Sequence, residues 1–459
     1  MCIRDRPCWG TKIAGFVLTQ KPDAEKERAV SERTADMLER SLRHGVIAGV
    51  SESLGDGSFL LPSYGGRSLA NIPATAVALL GACTQGMQPP AEACYWEHLR
   101  SPVRRVVLVL VDALGYLYLR QALDDRRGWL WRDLASRGVL LPMTAICPST
   151  TVTSLATLMT GASPAEHGLL GYELWLRELG VLAEMLSLKP VYGLGDATLM
   201  QWGLDPTRLL PVPTLAERLA GEGVSTVGLL AAAHRHSPLT RALYRGVTSL
   251  VGYADVADLW RQLIALLETP PKGRELIMAY WGDLDAAIHL HGTQGGAWRG
   301  AWAAFTKEME RGLAALPVAA REDTVLVITA DHGFVDSPVH AAHDVDQDAD
   351  LREALLIPPS GEARLAYLHT MGDEAEGRVR SMLAADFAVI DASTALQAGL
   401  FGPGRPAAEA RARLGDMLAI SRTDHYLDRL GRRHRLRGRH GGLSPEEMLI
   451  PWLAVRLDA

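Results

Sequence analysis

The chain has 459 residues, 48% hydrophobic and 22% charged, with a formal net charge of −6 at pH 7. That apolar content is enough for a large buried core and excludes a globally disordered chain. The acidic balance excludes a protein that coats a nucleic-acid polymer or an anionic membrane by charge alone. Cys2, Cys8, Cys83, Cys94 and Cys147 are odd in number and follow no CxxC or zinc-finger spacing, which points to a reducing compartment. No apolar run reaches the ~20 residues that span a bilayer, and the N-terminus has no basic, apolar and small-residue leader pattern. The expectation is a cytoplasmic protein.

Residues 1–56 are polar and weakly patterned, with one helix predicted over 26–43, and read as an N-terminal appendage; the opening MCIRDRPCWG fits no element. From residue 57 the chain alternates short β-rich runs with amphipathic segments. VRRVVLVLVDALG (103–115) predicts a buried strand ending at Asp112, and VLLPMTAICP (139–148) another. TLAERLAGEG (214–223) reads as a helix before the strand VSTVGLLAA (224–232). The helical segment 254–268 precedes the strand ELIMAYW (275–281), and the segment 297–316 precedes TVLVITADHG (324–333). This alternation predicts an α/β fold with a mainly parallel sheet covered by helices on both faces, and sites at the carboxyl ends of its strands.

Four polar clusters fall at such strand ends. Asp112 follows VVLVLV; alone it would be an ordinary turn residue. CPSTTVTSLATLMTG (147–161) gathers Ser149, Thr150, Thr151, Thr153 and Ser154 before a helix, where a hydroxyl caps free amides and the N-terminus also suits a phosphoryl oxygen. In YWGDLDAAIHLHG (280–292), Asp285 and His289 are four apart and share a helix face, with Asp283 and His291 as competitors. ITADHG places Asp331 and His332 where Gly333 lets the chain turn, and His440 stands before two glycines in RHGGLSPEE. Three aspartates, three histidines and a hydroxyl suit two divalent ions, zinc first and manganese or iron less selectively. Such ions would activate a hydroxyl that has no histidine near it in sequence to act as a base.

In order and spacing these motifs resemble the alkaline phosphatase superfamily, and most closely its nucleotide pyrophosphatase/phosphodiesterase branch, over residues 57–459. The resemblance implies an alkaline-phosphatase-like catalytic domain and a nucleophile at Thr151, matched in PSTTVTS with the later Thr160–Gly161. It implies one ion on Asp285, His289 and His440 and another on Asp112, Thr151, Asp331 and His332. Tyr280 and Gly292 fit the pattern around Asp285, and SPAEHG makes His167 structural. Where the family carries an asparagine three residues after the nucleophile, this chain has Ser154, so phosphate-oxygen binding falls to that hydroxyl or to the Val152 N–H.

The function implied is hydrolysis of a phosphodiester or phosphoanhydride in a small anionic ester, a nucleotide among the possibilities, through a phosphothreonine. The absence of Arg or Lys in 147–161 favours diesters over dianionic monoesters. A phosphomonoesterase or phosphonate hydrolase on the same ions is the alternative, and a non-catalytic binding member a further one. A sulfatase is disfavoured, because Cys147–Pro148 lacks the C/S-x-P-x-R arrangement. The segment 164–210, with Tyr172 and Trp175, is the expected wall of the substrate pocket.

Overall fold

The computed structural model describes residues 24–55, 59–100, 102–124, 128–193, 195–429 and 436–459. The opening decapeptide and part of the Arg-rich run 429–442 lie outside them. At the centre is a seven-stranded sheet in the order Val139–Thr144, Leu449–Arg456, Thr324–Thr329, Arg105–Val111, Arg274–Trp281, Val224–Ala231, Ser249–Tyr253. From Thr324–Thr329 onward its strands run parallel. Arg105–Val111 and Thr324–Thr329 are buried at every residue, as strands covered on both faces must be. The continuous Val/Leu runs of the sequence are these strands.

The helices follow their local signals. Leu215–Ala220 starts at a capping box, in which Thr214 Oγ1 accepts from the Glu217 N–H and the Glu217 carboxylate accepts from the Thr214 N–H. The helix Ala24–Arg43 places Ala35, Leu38 and Leu42 in the main core, against the strand Val139–Thr144. This is the apolar stripe of an amphipathic helix.

Two features depart from the sequence reading. The strand Leu449–Arg456 inserts antiparallel between Val139–Thr144 and Thr324–Thr329. Pro451 lies within it, opposite Pro142, and a proline in an apolar run argues against a central strand. In addition, a second seven-stranded sheet, antiparallel throughout, joins Phe387–Asp391, Met417–Ser421, Leu365–Leu368, Ser360–Gly361, Glu173–Leu176, Val181–Glu184 and Lys189–Pro190. These short strands come from two distant stretches, so neither shows a sustained period. Leu368, Val379, Leu383, Phe387 and Met417 form a small core of their own beside it.

Asp112 directly follows Arg105–Val111, and Asp331 and His332 follow Thr324–Thr329. The helix Asp283–His291 follows Arg274–Trp281. The topology thus delivers three of the four clusters to the carboxyl end of the parallel strands.

Candidate active site

The hydroxyl segment enters the helix Thr151–Thr160. Its N-cap, Thr150, makes no capping bond with its side chain. Ser149 Oγ donates to the Gly442 carbonyl (2.8 Å) and Ser154 Oγ to the Asp331 carbonyl (3.4 Å). Ser149, Thr150, Thr153 and Ser154 are all buried, whereas Thr151 keeps part of its surface. Thr151 Oγ1 lies 3.2 Å from His332 Nε2 and 3.5 Å from Asp112 Oδ2. Of the five hydroxyls, Thr151 alone both lies at the acidic cluster and lines a cavity without being fully buried.

The predicted ligands converge. The ligand atoms of Asp112, Asp331 and His332 lie within 4.8 Å of one another, as do those of Asp285, His332 and His440. His289 joins them with Nε2 3.5 Å from Asp285 Oδ1. Asp285 and His289 share one face of the helix, while Asp283 and His291 are exposed on others. At the Asp331–His332 turn, a Cβ on Gly333 would stand 2.0 Å from the Glu446 carbonyl oxygen, so only glycine permits the close approach. His167, with its Nδ1 accepting from the Leu169 N–H and its Nε2–H donating to Thr157, is fully buried and structural.

The three histidines are held alike. Nδ1–H donates to a backbone carbonyl in each: Gly438 for His289 (2.9 Å), Gly333 for His332 (3.1 Å) and Ser149 for His440 (3.0 Å). That leaves every Nε2 lone pair facing the carboxylates, which is the outer-shell arrangement of metal-binding imidazole. Burial lowers His289 to about 4, and burial, then the neighbouring His332 and His289, holds His440 well below the usual imidazole range. Both are therefore neutral at pH 7, as ligands must be.

The carboxylates show the complementary strain. Asp112 Oδ1, Asp285 Oδ1 and Asp331 Oδ2 are buried without a hydrogen-bond partner. Burial, then repulsion from Asp331 and Asp285, drives Asp112 well above the usual carboxylate range, and burial with repulsion from Asp331 does the same to Asp285. Tyr280 O–H donates to Asp112 Oδ2 and relieves part of this. Unpaired buried carboxylates facing free imidazole lone pairs fit divalent cations. Stripping metal with a chelator should accordingly lower Tm. Restoring zinc at a free concentration 100 times Kd should return about 2.7 kcal/mol of stability for each ion bound, read from the difference between the two melts.

The sequence profile of the family described as Type I phosphodiesterase / nucleotide pyrophosphatase matches residues 106–442. The chain belongs to this family. It is a hydrolase of phosphodiesterase or phosphatase type, in the alkaline phosphatase superfamily, and its family is metal-dependent. Among solved structures, murine ectonucleotide pyrophosphatase/phosphodiesterase 5 is 16% identical over 76% of this chain and 87% of its own, with a TM-score of 0.56. Its inactive threonine-to-alanine variant in complex with AMP is 15% identical, with the same coverage and TM-score. Phosphonoacetate hydrolase from Sinorhizobium meliloti, in complex with phosphonoacetate, is 16% identical over 77% of this chain and 90% of its own, with a TM-score of 0.57. At these identities the likeness is one of fold. No curated protein sequence matches the chain.

The site opens into a cavity of about 960 Å³. Tyr172 lines it and Trp175 does not. Ser154 is turned inward onto Asp331, and the wall at that point is Val152. Two wall residues escaped the sequence reading. Burial pushes Glu362 up to about 8, so at neutral pH it is largely protonated and adds little repulsion toward an anion. Arg439 is 7% exposed and sits 4.0 Å over the Tyr426 ring; Nη2 faces Asp428 Oδ2 at 3.9 Å, and neither it nor Nε is within hydrogen-bond distance of an acceptor. The only sequence signal for Arg439 was its position next to His440.

Among the described residues no helix is long and apolar enough to cross a membrane.

Proposed function

We propose that the protein hydrolyses a phosphodiester or phosphoanhydride in a small anionic molecule such as a nucleotide, through a phosphothreonine formed on Thr151. The observation that carries this reading is the one partly exposed hydroxyl of the segment, set 3.2 Å from His332 Nε2 at the mouth of the ligand cluster. Asp285, His289 and His440 would hold one divalent ion, and Asp112, Asp331, His332 and Thr151 a second, with zinc best suited to the donors. Such ions, when bound, supply charge stabilisation to the phosphoryl oxygens and acidify the threonine hydroxyl.

The chain's own groups do the rest. Thr151 lies in the first helical turn, where backbone N–H groups lack intrahelical acceptors and the dipole is positive, so an anionic phosphoryl group is drawn to it. Its oxygen displaces the leaving group from phosphorus, and water then cleaves the phosphothreonine and restores the hydroxyl. Val152, in the cavity wall, offers an N–H for a phosphoryl oxygen in place of the family's asparagine. The test is metal content measured alongside hydrolysis of bis-p-nitrophenyl phosphate and p-nitrophenyl phosphate. About two ions per chain with diester preference supports the reading; absence of turnover with zinc or manganese supplied overturns it.

A second reading, cleavage of a phosphomonoester or phosphonate, rests on Arg439. A dianion needs an added cation; residues 147–161 contain none, but the fold brings Arg439 into the cavity wall, where its only carboxylate neighbour among the described residues' ion pairs is Asp428 at 3.9 Å, too far for a hydrogen bond. On this reading Arg439→Gln lowers kcat/KM for the monoester by about 10- to 100-fold, the loss of one or two charged hydrogen bonds, and changes the diester far less. Equal effects on both substrates would return the choice to diesters.

Among the described residues Cys83, Cys94 and Cys147 form no disulfide, which supports a reducing setting.

A further inference from the structure

Away from the catalytic cluster, three side chains from separate segments converge beside the second sheet. His343 comes from the strand Ala342–Asp344, Asp386 directly precedes Phe387–Asp391, and His425 directly precedes Tyr426–Asp428. His343 Nε2 lies 2.8 Å from Asp386 Oδ2, and His425 Nε2 lies 3.5 Å from the other oxygen of that carboxylate. One ligand atom from each residue falls within 4.8 Å of the others. The side chains are 28–29% exposed, so the fold holds them while water retains access.

The geometry points to a further divalent-metal site, built from His343, Asp386 and His425 and completed by water. Two imidazoles and a carboxylate are a donor set that zinc accepts. His425 carries the appropriate outer contact: Nδ1 stands 2.7 Å from Thr423 Oγ1, and donation to that oxygen fixes the tautomer with the Nε2 lone pair toward the cluster. His343 is steadied by edge-on packing against Phe387, with ring centroids 5.3 Å apart. Protons alone could bridge an aspartate to one imidazole. Two Nε2 atoms directed at different oxygens of one carboxylate give an ion three ligands.

The site has a consequence for the substrate cavity. Among the described residues, the only ladder joining two of its segments is the short parallel pairing of Ala342–Asp344 with Tyr426–Asp428. Val345, Leu427, Asp428 and Arg429, all within four residues of these ligands, line the cavity. An ion at His343, Asp386 and His425 therefore fixes part of the substrate wall without touching the reacting atoms. This last step rests on the cavity being the substrate site; the metal site itself does not.

The experiment is zinc stoichiometry by plasma mass spectrometry on full-length protein that has been stripped, reconstituted and desalted. The expected result is that His343→Ala/His425→Ala carries one equivalent fewer than the unaltered protein and that Asp386→Asn, which keeps the shape, does the same. Asp285→Asn/His289→Ala, altered only at the catalytic cluster, should keep that equivalent, so failure of the catalytic reading would be separately visible. The cobalt-loaded difference spectrum between the unaltered protein and the double variant should show the d–d bands of an N/O site. For a diester, KM should rise several-fold with kcat within about twofold. Equal zinc content in the unaltered protein and both His343/His425/Asp386 variants, all folded by circular dichroism, overturns the site.

Discussion

Replacing Thr151 with alanine will lower kcat/KM for a phosphodiester by about 10⁴-fold or more, on the order of 5.5 kcal/mol of transition-state stabilisation, while the bound metal and the fold persist. The size follows from the absence of a substitute. Ser149 and Ser154 are buried and committed to the carbonyls of Gly442 and Asp331, and neither lines the cavity. The fold should tolerate the change because the residue is no cap: Thr150 holds the N-cap position, and Thr151 contributes only long contacts to Asp112 and His332. A stability change within about 1 kcal/mol is expected. Asp112, Asp331 and His332 remain to hold an ion, so metal content should stay constant. Thr151→Ser should keep a substantial part of the activity. Unchanged turnover in the alanine variant would mean that no covalent bond forms at this residue.

How far the site could be read in advance depends on whether its signal was local. Asp112 was legible because an unbroken buried run leads into it. Asp285 and His289 were legible because a spacing of four has one meaning on a helix. The hydroxyl cluster could be placed, but its members could not be told apart by spacing. The family resemblance pointed to Thr151, and the turn of the helix, which buries Ser154 and leaves Thr151 facing the cavity, supplies the physical distinction. The antiparallel sheet had no local signal, since Glu173–Leu176 meets its neighbour Ser360–Gly361 from far along the chain. Arg439 and Glu362 were invisible for the same reason: each acquires its role from burial beside segments remote in sequence. The His343–Asp386–His425 cluster is likewise a product of three distant segments.

The second large effect concerns a residue pair with no part in the chemistry. Arg364 and Glu447 are both fully buried and joined by two bonds, Nε to Oε1 at 2.7 Å and Nη2 to Oε2 at 3.1 Å. The Glu447 carboxylate also accepts from the N–H groups of Gly442 (2.9 Å) and Ser444 (3.2 Å), and its carbonyl accepts from Gly333 N–H (2.8 Å). One glutamate thereby anchors both turns that present His332 and His440, and Arg364 ties it to the second sheet. Removing Arg364 alone, as in Arg364→Met, strands a buried carboxylate and should cost about 3–5 kcal/mol. The pH dependence has a definite sign. Burial alone would raise the Glu447 pKa, but Arg364 and the hydrogen bonds overcome it and hold the group below its ordinary value. Its contribution is therefore complete above the unfolded carboxyl pKa, about 4.3, and is lost as pH falls through the folded value. In Arg364→Met burial prevails and the carboxyl is driven to take a proton. The difference between variant and parent in denaturant unfolding should thus be largest near neutrality and shrink in acid. Arg364→Met/Glu447→Leu removes both charges and should recover most of the stability. It still releases Gly442 and Ser444, so it should lose metal affinity and turnover that the recovered fold does not restore. A single variant costing under about 1 kcal/mol would show that the pair does not hold the turns, and a fully active double variant would show that the turns do not need it.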